Sequence, residues 1–153
     1  MRFCRRCLAV PLLLACLTGW VHYVTAETPL PAQFQISQMK TRFLGMTLTL
    51  TTDTFKLDGD CYRAGYATTV SPLSSEDESG TVMLKASKAD HERLRKGETI
   101  EIIGQGKTTE GEVRRISVSC HPTEPTSGKA RVRITYGIFT LVFHGDYRIG
   151  GPG

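Results

Sequence analysis

Four features of this sequence have the residue types of a chemical site. Cys4 and Cys7 stand three positions apart, the spacing of a redox or zinc pair. Gly104-Gln105-Gly106-Lys107-Thr108 follows an apolar run, as a phosphate-binding loop does. Asp58 and Asp60 flank Gly59, in the manner of a calcium loop. His91, His121 and His144, with Cys61, Cys120 and Asp146, are the other candidates for acid–base, nucleophilic or metal chemistry. None of the four completes its pattern. A phosphate loop needs a glycine five positions before Gly106, where Glu101 stands, and a helix afterwards whose amides face the phosphates. A calcium loop needs further carboxylates and a closing Glu at fixed spacing. The histidines lack the one-turn spacing of a metal pair. No serine sits in a nucleophile-elbow context. No catalytic, metal or cofactor residue is therefore assigned, and an exported enzyme with an unrecognised site stands as the alternative reading.

The cysteine pair at the front is explained by where it lies. Arg2, Arg5 and Arg6 precede an uncharged apolar run from Leu8 to Leu17, and Val24-Thr25-Ala26 supplies small residues before Glu27. This is the pattern of a secretory signal over residues 1–26. The run is about half the ~20 residues a spanning helix needs. Leu13-Leu14-Ala15-Cys16 also fits a lipobox, which would make Cys16 the lipidated first residue of an outer-membrane lipoprotein. Either route leads outside the cytoplasm, to the periplasm or the medium. Membrane contact is then expected only through lipidation or a retained signal.

Removal of the leader changes the charge. The chain of 153 residues is formally +4. Without residues 1–26 it keeps 16 basic and 15 acidic side chains, too balanced for a nucleic-acid footprint. A local basic bias survives after Thr81, where Arg114, Arg115, Arg131 and Arg133 form a candidate basic face. Cleavage after Ala26 also leaves only Cys61 and Cys120. In an oxidising compartment such a pair is expected to bond, with a reactive thiol as the alternative.

The elements that must position these residues are mostly strands. Residues 27–40 read as an extended lead-in. Residues 41–149 read as a single β-rich domain and 150–153 as a frayed tail. Met46, Leu48 and Leu50 alternate with threonines, and Tyr62, Ala64, Tyr66 and Val70 share one face, the period of half-buried strands. Asp58-Gly59-Asp60 is a hairpin turn. Ser71–Gly80 reads as a solvated loop carrying Glu76, Asp77 and Glu78. After the alternating Val82, Leu84 and Ala86, Ser87 and Asp90 start one short helix near 87–96. Gly97 ends it, and Leu94 is its packing residue. Further strands follow at Ile100–Ile102, Val113–Val118 and Ala130–Tyr136. Turns are expected at Gly104–Thr108 and at His144-Gly145-Asp146, with a bulge at Arg114-Arg115. His91 is expected on the exposed helix face. The count is about eight short strands and one helix, a small all-β barrel or sandwich.

One stretch resembles a known family. Val82 to Ile134, with ASKADHERLRKGETIEI, then EGEVRRI, then GKARVRI, is similar to the β-barrel module of the periplasmic adaptor (membrane fusion) proteins of bacterial efflux and secretion systems. Their lipoyl and helical-hairpin parts have no counterpart here. The resemblance implies a barrel, and a role as an accessory or binding module of the envelope or a secretion system. The expected partner is another envelope protein or an extracellular target.

Overall fold

The computed structural model describes residues 29–150. The expected leader over residues 1–26, the lipidation candidate Cys16 and residues 151–153 lie outside them. Ten strands form one antiparallel sheet that closes on itself. β1 (Gln33–Ile36) and β2 (Met39–Phe43) are two halves of one bent stave, as are β3 (Met46–Thr52) and β4 (Phe55–Asp58). The other staves are β5 (Cys61–Ser71), β6 (Glu78–Leu84), β7 (Ile100–Thr108), β8 (Val113–Glu124), β9 (Ser127–Tyr136) and β10 (Phe139–Ile149). A short helix, α1 (Lys88–Arg95), joins β6 to β7. At one end of the barrel β2 pairs with β10 and β3 with β5. At the other end β1 pairs with β10 and β4 with β5. Eight staves thus run up and down in chain order and close, the small all-β barrel expected from the alternation.

Closure follows from the period-two pattern, because each strand offers one apolar stripe and the stripes can only be buried against each other. Leu50, Tyr62, Val82, Leu84, Ile100, Val118, Ile134 and Phe143 are all nearly inaccessible. Eight strands enclose a space that side chains just fill. The apolar void left between Leu50, Tyr66, Val118 and Ile134 is only about 20 Å³. The middle of the barrel is solid, so anything bound must sit at an end or on the outside.

Several local expectations are corrected. Gly104–Thr108 is not a turn but the second half of β7, with the reversal displaced to residues 109–112. A Cβ on Gly104 would lie 2.2 Å from the Met83 carbonyl oxygen, so this glycine serves the close approach of β6. His144-Gly145-Asp146 likewise lies inside β10, and the last hairpin turns at Gly137-Ile138. Arg114 and Arg115 pair regularly with Gly106 and Gln105, and the irregularity in β8 comes later, between Pro122 and Glu124. β1 falls within the segment read as a lead-in, and it is a working part of the wall. The expected disulfide is not formed: Cys61 and Cys120 are both free thiols. Cys61 stands on the outward face of β5 beside Asp60, while Cys120 points into the core from β8. Successive side chains of a strand face opposite ways, and the two cysteines fall on opposite sides of the wall.

One end is plugged. Ser87 caps α1 by accepting from the Asp90 amide at 3.1 Å, and the Asp90 carboxylate accepts from the Ser87 amide at 2.9 Å. The helix turns His91 and Leu94 inward. His91 is thus buried rather than exposed. Beneath it Phe34 stacks on Phe55 with ring centroids 4.4 Å apart, and Tyr62 meets Phe34 edge-on at 5.0 Å.

Candidate functional site at the open mouth of the barrel

The other end has no plug. Four connections gather there: Leu44-Gly45, residues 72–77, residues 109–112 and Gly137-Ile138. Beneath them a cavity of about 370 Å³ is walled by Phe43, Met46, Leu48, Val70 and Leu141, with Leu73 and Phe139 at its lip. Phe43 and Phe139 meet edge-on, centroids 5.5 Å apart, and tie two of the hairpins together.

The polar side of the cavity comes from inward-facing positions near the strand ends. Arg114 is one strand period before Ile116, so its guanidinium turns in rather than out. It donates to Glu78 from Nε at 3.1 Å and from Nη2 at 2.7 Å, and Nη2 also pairs with Glu112. The guanidinium lies 4.9 Å from the centre of the Tyr136 ring, a cation–π arrangement. Glu78 also accepts from the Tyr66 hydroxyl at 2.7 Å. These contacts hold the Arg114 proton more firmly, chiefly through the Glu78 hydrogen bond. Burial, and then Glu78, push the Tyr66 phenol well above its usual range. Glu78 is therefore an ion-pair member and not part of a solvated tip. Asp77, its neighbour, accepts from the Val70 amide at 2.7 Å.

Two further hydroxyls line this space. The hydroxyls of Thr68 and Tyr136 are buried there within reach of each other; burial raises the Tyr136 phenol, and the Thr68 hydroxyl offsets part of that rise.

The residues named from sequence go to different places. Arg115, Arg131 and Arg133 point outward from β8 and β9, and Arg114 is drawn into the mouth, so the four do not make one face. His91 sits at the plugged end, with Nε2 3.1 Å from the Tyr62 hydroxyl. Nδ1 of His121 lies 2.8 Å from the Thr99 hydroxyl, and His144 stands outward opposite Lys40. Among the described residues no three His, Cys, Asp or Glu side chains gather as a metal site. Leu48 and Val70 were legible as core. The mouth itself was not, since Glu78 and Arg114 are 36 residues apart. The one available signal was that Arg114 shares the parity of Ile116 and Val118. Comparison with protein-family models, with curated proteins and with solved structures finds no match to this chain.

Proposed function

We propose that this chain is an exported binding module of the bacterial envelope or of a secretion system, without a catalytic step. The open mouth receives an apolar group of its partner, another envelope protein or an extracellular target. The observation that carries the reading is an apolar-walled cavity open to solvent, with the Arg114–Glu78 pair and the Thr68 and Tyr136 hydroxyls on its polar side. A concave, mostly apolar space with a few convergent polar groups is the usual form of a recognition site. The leader pattern supports export. The resemblance to the adaptor barrels supports an accessory role rather than a reaction.

The test uses a photo-crosslinking residue in the exported protein, placed either at Leu73 on the lip or at Lys56 near the plugged end. A discrete adduct is expected from position 73 only, and it should vanish in Val70→Trp, which fills the cavity. Equal adducts from both positions, or an adduct that survives the tryptophan in a folded protein, would refute the mouth as the binding site.

A further inference from the structure

We propose that the barrel also docks on anionic lipid surfaces, through the adjoining β2–β3 and β9–β10 hairpins and the outward basic side chains beside them. Two independent observations meet there. The first is apolar exposure at the tips: Leu44 is 79% exposed, Ile138 91% and Phe139 50%. The second is charge. Lys40 on β2 is level with His144 on β10, which is level with Arg131 on β9. Continuing the antiparallel register one strand period toward the tips brings Arg42 level with Val142, which faces Arg133. Arg115 stands on β8 opposite Thr135.

Cations placed side by side across strands repel one another. Acids relieve them little here: Glu101 pairs with Arg133 at 3.2 Å, and none of the described residues makes an ion pair with Lys40, Arg42, Arg115 or Arg131. Apolar tips beside basic side chains are what an anionic lipid surface binds. The tips enter the boundary between headgroups and chains, and each Lys or Arg meets lipid phosphate. The rest of the mouth has the opposite sign. Glu76, Asp77, Glu110 and Glu112 lie on the other two connections, so the barrel would lie tilted, basic half down and acidic half away. Among the described residues no helix is long and apolar enough to cross a membrane, and the contact proposed lies at the surface. It needs neither lipidation at Cys16 nor a retained signal, and of its apolar residues only Phe139 also borders the cavity.

The test is sedimentation of the exported protein with vesicles of phosphatidylcholine alone or with about one-third phosphatidylglycerol. Binding to the anionic vesicles only is expected, falling as salt shortens electrostatic reach. Arg42→Glu and Arg131→Glu should each weaken it by at least about fivefold, since each surface cation contributes about that factor. Leu44→Ser with Ile138→Ser should weaken it too. Arg148→Glu, distant from the tips, should leave it unchanged. Equal binding to both vesicle types, or charge-reversed variants that bind as the parent does, would overturn the proposal. No discrete adduct from position 73 in the otherwise unaltered protein, with vesicle binding intact, would refute the mouth reading alone.

Discussion

At the plugged end, one hydroxyl determines the state of one histidine. Tyr62 has a single proton and is within 2.8 Å of the Pro31 carbonyl, to which it donates. It can only accept from His91, which must then carry its proton on Nε2. Nδ1 of His91 is left buried without a partner. A second proton there would have no acceptor, and burial, aided by Arg95, holds the His91 pKa below 6.5 although Asp90 opposes the shift. The unfolded chain therefore takes up a proton near pH 6.5 that the folded protein resists. Stability is complete above that pH and declines as pH falls from 6.5 toward the lower folded value. Denaturant titrations at pH 7.5 and pH 5 should show the loss, and His91→Phe should remove most of the difference. An unchanged slope in the variant would show that other groups carry it. In the mouth, Arg114→Met should cost about 2–3 kcal/mol because it strands the carboxylate of Glu78, and Arg114→Met with Glu78→Gln should recover much of it. If the double variant is no better than the single one, the pair is not what the arginine holds together.

The helix that plugs the barrel is too short to persist unaided, so its cap and its packing have to act together. Ser87→Ala is expected to lower stability by about 1 kcal/mol. Amide exchange should rise over 88–95 before it rises in the strands. Uniform exchange along the chain would mean that α1 is not a separate closing unit. The cap was plain in the sequence because both partners lie three residues apart, and the strands were plain because burial alternates along them. The glycines misled. Gly104 and Gly145 look like turn residues, yet each sits inside a strand where a side chain would collide. A Cβ on Gly145 would lie 2.5 Å from Cγ of Met39. A coiled barrel wall needs close approach at such points as much as it needs turns. Local chemistry cannot separate the two uses, because the colliding atom comes from a strand far away in sequence. Gly104→Ala should therefore destabilise by about 3 kcal/mol, the upper range of overpacking. Equilibrium unfolding checks this, and a near-neutral result would mean that β6 can yield.

Taken whole, the molecule stabilises itself by closure. A flat sheet of this length would leave two edges open to pairing with other chains, whereas a closed barrel leaves none. The aromatic plug and the stripes of the eight staves supply a continuous core, as a domain of this size can. The expectation of a disulfide rested on compartment alone. It had no knowledge of strand phase, which turns Cys61 out and Cys120 in. Burial pushes the Cys120 thiol up to about 12, so it should stay inert toward a thiol reagent until the protein unfolds. Cys61 is accessible, although the Asp60 carboxylate raises its pKa, and it should react first. A long-loop staple would contribute about 4 kcal/mol by the chain-entropy estimate, equivalent to a melting shift of roughly ten degrees or more. With Cys61 and Cys120 free, the protein should melt in one cooperative transition at the same temperature with and without reductant. Its intact mass should be unchanged by reduction. A two-dalton gain together with a fall of several degrees on reduction would show that the walls rearrange to bring the cysteines together. The barrel would then owe part of its stability to a bond across it rather than to closure.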